Sequence, residues 1–175
     1  MNIEDANQRG YRHKNLLFWL GVLRCLVRPI QPTDRVIDIG CGHGLFLQLL
    51  HEEHPFREGI GTERDAKSLA IARTRLAERR PNWPIRYLAS DEVDKIIKPG
   101  SLDVAFCHEI FWMNADLDSL VQQIHRLLRP GGCGYATMGG HVHNPLWEWR
   151  KKRLLRDGMS PSDWSIDDVA ETFSK

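Results

Sequence analysis

Residues Arg35–Leu45 read R-V-I-D-I-G-C-G-H-G-L: a β-branched run, an acid, and then glycine at every second position. Val36, Ile37 and Ile39 suit the core of a sheet, and Asp38 stands at the strand's end. Gly40, Gly42 and Gly44 follow. A turn without Cβ atoms can take positive φ and let a ligand lie close against the main chain. Leu45–Leu50 then reads as a helix opening at that turn, whose N-terminal amides favour polar or anionic atoms. A plain tight turn needs neither three glycines nor a strand-terminal acid, so the stretch is read as a nucleoside-binding turn.

Outward from this turn, strands and helices alternate. Before it, a helix near Lys14–Leu26 is broken by Pro29 and Pro32. After it, the pattern predicts a helix over Gly44–Glu53, a strand near Arg57–Glu63 and a helix over Ala66–Arg79 with Leu69, Ala72 and Leu76 on one face. A third strand follows at Ile85–Ala89, then a short helix within Asp91–Lys98. Leu102–Cys107 is apolar enough for a strand buried on both faces. A helix over Asp116–Leu128 stops at Arg129-Pro130-Gly131-Gly132, and Cys133–Met138 makes a fifth strand. Such alternation implies an α/β fold with a doubly wound, mainly parallel sheet. In such sheets ligands sit beyond the carboxyl ends of the strands, at the switch point.

The 175 residues suit one domain, 1–175, with an N-terminal helical segment over 1–32. A net charge of +1 gives no global pull toward nucleic acid. The four cysteines, Cys25, Cys41, Cys107 and Cys133, have neither CxxC nor Cys/His zinc spacing, so no metal is expected and reduced thiols of a cytoplasmic protein are. Leu16–Val27 is apolar but too short to span a bilayer and contains Arg24. The polar start MNIEDANQRG has no signal-peptide architecture.

The glycine register decides between nucleoside classes. A dinucleotide turn needs G-x-G-x-x-G, whereas Leu45 follows Gly44 directly, and no Walker Gly-Lys-Ser/Thr follows. RVIDIGCGHG resembles the first motif of class I S-adenosylmethionine-dependent methyltransferases. The resemblance continues through GTERD, SDEV, SLDVAFCHE and HRLLRPGGCGYATM, from Arg35 to about Met138. The last of these is similar to an element of the small-molecule branch. The resemblance implies a Rossmann-like methyltransferase fold, S-adenosylmethionine as donor and S-adenosylhomocysteine as product. It places Asp38, Gly40, Cys41, Gly42 and Gly44 beside the methionine moiety. Glu63 then accepts the ribose hydroxyls with Arg64 beside it, and Asp91 accepts the adenine amino group with Glu92 and Cys107 nearby. Asp91 also reads as a helix cap, and the two roles are compatible.

Methyl transfer from an activated sulfonium asks mainly for alignment, which is worth about 7–11 kcal/mol in favourable cases. A base is needed only where the acceptor gives up a proton. His108 and Glu109, just past the fourth strand, are the candidate catalytic residues. Trp112 and His141 are candidate acceptor contacts, with His143 on the same rim and Phe111 and Trp147 able to complete an aromatic wall. Each of these also reads as ordinary packing or polar surface. The resemblance also implies Tyr11 as a candidate lid residue, with ordinary helix packing as the alternative. Cys107-His108-Glu109-Ile110 departs from the Asn/Asp-Pro-Pro-aromatic sequence of enzymes acting on base or amide nitrogens, so a small-molecule acceptor is expected and nucleic acid is not. The basic runs around Arg73–Arg80 and Arg150–Arg156 read as solvated faces.

The chain offers helices near Pro145–Arg156 and from Ser165, whose Ser165-Ile166-Asp167-Asp168 resembles a capping box. No final hairpin follows, so the fold is expected to lack the C-terminal hairpin and to leave strand five as an open apolar edge. A truncated C-terminus, with a missing segment that covers the edge, is the expected cause; covering by an oligomer partner and an unusual rearrangement are the alternatives. The alternative function is a non-catalytic module binding S-adenosylmethionine or S-adenosylhomocysteine. A nicotinamide oxidoreductase is disfavoured by the glycine register.

Overall fold

Val36, Ile37 and Val104–Cys107 are almost wholly buried, which is the signature of strands covered on both faces. They belong to β1 (Arg35–Ile39) and β4 (Leu102–His108), the central pair of a five-stranded sheet. The computed structural model describes residues 16–174. With β2 (Glu58–Glu63), β3 (Ile85–Ala89) and β5 (Leu128–Thr137), the strand order is β3-β2-β1-β4-β5 and every pairing is parallel. The order reverses between β1 and β4, and that is the switch point where ligands collect.

Two apolar layers enclose the sheet. On one face α1 (residues 16–24), α2 (Leu45–Glu53) and α3 (Ala66–Arg79) pack Leu23, Phe46, Leu47, Leu50, Leu69 and Ala72 against Val36, Val104 and Phe106. On the other, α4 (Val93–Ile96), α5 (Leu117–Leu127) and α7 (Ile166–Phe173) meet Ile37, Ala105 and Cys107. Neighbouring strand residues thus serve opposite layers, as the pleat requires. Helix α6 (Trp147–Arg156) lies between β5 and α7 in the chain.

Most elements fall where the sequence predicts them, and the departures have local causes. Gly44 is the cap of α2 rather than its first residue, since its φ of 73° is left-handed. The stretch predicted as one short helix after β3 is a 3₁₀ turn, Ser90–Glu92, running into α4. There Glu92, not Asp91, closes the turn by accepting from Ala89 N at 2.8 Å. Strand β5 begins five residues earlier than predicted, because Leu128 already pairs with Leu102 across a register shift. Gly132 makes that detour fit: a Cβ there would stand 2.9 Å from Arg129 O and 3.2 Å from Asp103 O. Ser165 and Asp168 form the expected capping box on α7. Helix α6 starts at Trp147, just after Pro145. Among the described residues no strand pairs with the outer edge of β5, while Val169 and Phe173 of α7 help line a small hollow against Gly134 and Ala136. None of the described helices is long and apolar enough to cross a membrane.

Candidate functional site

At the switch point, Asp38, Gly40, Cys41 and Gly42 from β1 and its turn meet His108 and Glu109 from the end of β4 around a cavity of about 160 Å³. Phe18 and Trp19 of α1, with His43, Leu45 and Phe46, complete its wall. The sequence reading missed Phe18, Trp19 and Phe46, because neither helix α1 nor the first turn of α2 carries a motif that marks them, whereas His43 and Leu45 belong to the glycine stretch itself.

Backbone bonds hold the turn in place. Gly40 N and Cys41 N both donate to Thr62 O, at 2.8 and 2.9 Å. From behind, the Tyr87 hydroxyl donates to Gly44 O at 2.6 Å and Arg75 to His43 O at 2.9 Å. The three glycines do different work. A Cβ on Gly40 would strike Ile110 and one on Gly44 would strike Tyr87, so these two permit packing, whereas a Cβ on Gly42 meets nothing within 4 Å. With φ of 52°, Gly42 presents bare main chain to open space.

Glu63 ends β2 beside this turn. Its carboxylate accepts from Gly42 N at 2.9 Å, Arg64 N at 2.7 Å and Asp65 N at 2.8 Å. A carboxylate has about four acceptor positions, so one remains for a hydroxyl, and a two-bond ribose grip requires one amide to let go. Arg64 is exposed and outside the cavity wall. Asp91 is well exposed, its only polar neighbour among the described residues being Lys95 at 3.9 Å. Cys107 does not line the cavity: one residue from His108, it falls on the opposite side of the pleat and packs into the layer beneath α5.

Electrostatics distinguishes the groups. Burial, reinforced by Glu63, pushes Asp38 up to about 8. Burial also raises the Cys41 and Cys107 thiols, which leaves them protonated and unreactive. His108 is pushed down to about 4 by burial among Phe46, Phe106 and Phe18, whose ring centroids lie 4.2, 5.7 and 6.4 Å away. Its Nδ1 bonds Thr137 Oγ1 at 2.9 Å, and its buried Nε2 has no partner. An orphaned buried nitrogen of this kind costs about 1–3 kcal/mol until a ligand atom meets it.

The β4 and β5 loops form a second cluster. Glu109 accepts a bond from His141 Nε2 at 2.8 Å, and the His141 ring lies 5.8 Å from Trp112 and 5.4 Å from Trp147. Phe111 is not part of any wall. It is fully buried and packs edge-on against Phe173. Trp147 is buried too, its Nε1 donating to Asp163 at 2.7 Å. His143 is exposed, and Tyr11 lies outside the described residues. Among those residues no cluster of His, Cys, Asp and Glu can hold a metal ion.

A family model described as a methyltransferase domain matches residues 36–132, more than half of the chain. The chain belongs to the methyltransferase-domain family. Its motifs and sheet are those of the class I, S-adenosylmethionine-dependent type. The domain is 30% identical to trans-aconitate 2-methyltransferase of Acidovorax sp. (strain JS42) over 142 residues, 79% of this chain and 50% of that protein. It spans about half the length of the curated relatives it matches. The methyltransferase solved in complex with the Haloferax volcanii Trm112 activator superposes with a TM-score of 0.78 at 23% identity, covering 98% of this chain and 72% of that one. Phosphoethanolamine N-methyltransferase 2 of Haemonchus contortus, solved with S-adenosylmethionine, gives 0.75 at 24% identity, over 89% of this chain and 35% of that one. These two likenesses speak for the fold.

Proposed function

We propose that this domain binds S-adenosylmethionine at the Gly40–Gly44 turn and transfers its methyl group to a small-molecule acceptor approaching from the β4–β5 loops. The observation that carries the reading is the open main chain at Gly42, continuous with a cavity walled by Asp38 and by the unpartnered nitrogen of His108. When bound, the donor supplies a methyl carbon already activated by positive sulfur. The protein has to hold it, orient the acceptor and exclude water.

Asp38 is positioned for the cationic end of the donor. At neutral pH it is protonated while the cavity lacks a cation, and it ionises when an ammonium or sulfonium arrives, so binding releases a proton. Glu63 offers its remaining acceptor position to a ribose hydroxyl, and Asp91, exposed beyond β3, is available to an adenine amino group. Phe18, Trp19 and Phe46 keep the methyl end apolar. His108 and Glu109 border that end, with Trp112 and His141 on the acceptor side.

Titration calorimetry with S-adenosylhomocysteine tests the reading, and the absence of binding heat with a correctly folded chain overturns it. A second reading is supported by the likeness to a chain solved with a protein activator: the domain binds the nucleoside and transfers the methyl group only with a partner chain seated on it. Labelled donor separates the two: a self-sufficient domain labels small molecules of a protein-free cell extract, whereas a partner-dependent one labels them only when the proteins of the extract are present. We also propose that the domain works in the cytoplasm, where the free thiols of Cys25, Cys41, Cys107 and Cys133 stay reduced.

A further inference from the structure

Glu109 is the single non-glycine among the described residues with positive φ, at 57°. An L-residue there costs about 1–2 kcal/mol, and such outliers persist where the surroundings over-determine them. Here the Glu109 amide is pinned to Thr137 O at 2.9 Å. Its carboxylate, with a side chain 40% exposed, reaches the imidazole of His141, which is 14% exposed. Gly139 leaves room for the pair, since a Cβ there would lie 3.3 Å from the His141 ring and 3.5 Å from Glu109 Oε1. Glu109 also lines the donor cavity, so the pair spans from that cavity to the aromatic cluster of Trp112 and Trp147. His108, the nearer histidine, is desolvated and held by Thr137. That makes it a poor proton acceptor and leaves the role to the other ring.

We propose that His141 is the base that takes the acceptor's proton during transfer, with Glu109 as its positioning residue. The acceptor is then a planar hydroxyl compound bearing an anionic substituent. An ionised carboxylate only accepts hydrogen bonds, so the shared proton resides on Nε2; in the neutral ring the free lone pair is then on Nδ1, for which no partner exists among the described residues. In the transfer step the acceptor oxygen forms its bond to the methyl carbon as the carbon–sulfur bond breaks and sulfur takes the electron pair. The hydroxyl proton passes to Nδ1, and the resulting imidazolium is stabilised by Glu109 until solvent removes the proton. A base of this kind is superfluous for a carboxylic acid, which is already ionised at neutral pH. Trp112 and the Arg150 guanidinium lying over its ring, with the guanidinium carbon 5.3 Å from the ring centre, together set an aromatic edge beside a cation, which suits a flat acceptor with an anionic substituent.

This inference rests on the proposed donor site and is tested on the full chain saturated with S-adenosylhomocysteine. Failure of that ligand to bind counts against the donor site and is seen before any acceptor is added. The probe is 3,4-dihydroxybenzoate, with trans-aconitate as the comparison carrying only carboxylates. Histidine-labelled NMR is expected to show the His141 ring signals moving with the dihydroxybenzoate and staying still with trans-aconitate. His141→Gln should weaken dihydroxybenzoate binding at least about tenfold, and Glu109→Gln should shift the His141 Nε2–H signal in the acceptor-free chain. With labelled donor and the same phenol, Glu109→Gln is expected to lower kcat by about 100-fold or more, within the range for acid–base groups, with KM nearly unchanged. Still His141 signals, an equal response to both probes, no transfer to the phenol, or an unaltered Nε2–H signal in Glu109→Gln each overturns the proposal.

Discussion

The two sides of the switch point are built differently. On the β1–β2 side, main-chain groups of the glycine turn bond Thr62, Glu63, Tyr87 and Arg75. On the β4–β5 side, side chains meet side chains: His108 with Thr137, Glu109 with His141, and Trp112 with Arg150. A donor common to a family is suited by main-chain groups that every sequence possesses. An acceptor particular to one protein is suited by side chains that differ from chain to chain.

Four substitutions sharpen or break this contrast. Phe111→Ala, at the buried root of the β4 loop, should cost about 3–5 kcal/mol of stability and lower Tm markedly; a small loss would mean that the loop is not anchored in the core. Gly42→Val should weaken S-adenosylhomocysteine binding at least about tenfold, because a branched side chain enters the open space at φ 52°, as read by calorimetry. Unchanged affinity would move the donor off the turn.

Asp38→Asn is expected to act on stability and binding in opposite directions. The carboxyl titrates near 8 in the folded chain against about 4 unfolded, so the folded form retains a proton that the unfolded form sheds. The associated stability is complete below about pH 4 and is lost as pH rises through about 8, by up to about 1.4 kcal/mol per pH unit. The asparagine variant should lose that slope in denaturant titrations between pH 5 and 8, and its affinity for S-adenosylmethionine should fall. A parallel slope in both proteins would deny Asp38 its buried, neutral state. The smallest effect is expected for Trp112→Ala, which should leave S-adenosylhomocysteine affinity within about twofold. A larger change would mean that the acceptor side also supports the donor.

How far the sequence carried depended on the range of the signal. β1, β3 and α3 match their predicted bounds, because each is fixed by local periodicity and by nearby proline, glycine or charge. The start of β5 was hidden, since Arg129-Pro130-Gly131-Gly132 reads as a break while the backbone passes through it and keeps pairing. In the sequence, the glycine turn and Asp38 stand together as one contiguous motif, whereas Glu63 and Asp91 are marked only by their places at the ends of later strands. Cys107 was misplaced because motif position does not say which side of a pleat a residue takes. The Glu109–His141 bond joins residues 32 apart in sequence and depends on a left-handed backbone that no local pattern announces. Phe18 and Trp19 read only as the apolar side of a helix until the sheet placed that helix over the cavity.

Tyr87 and Arg75 grip carbonyls of the glycine turn from the side away from the cavity. The proposed receptor for the nucleoside is therefore cast before the guest arrives, and little freedom remains to be surrendered when it docks. Loosening that grip with Tyr87→Phe would leave every atom facing the guest in place, yet should make capture entropically dearer.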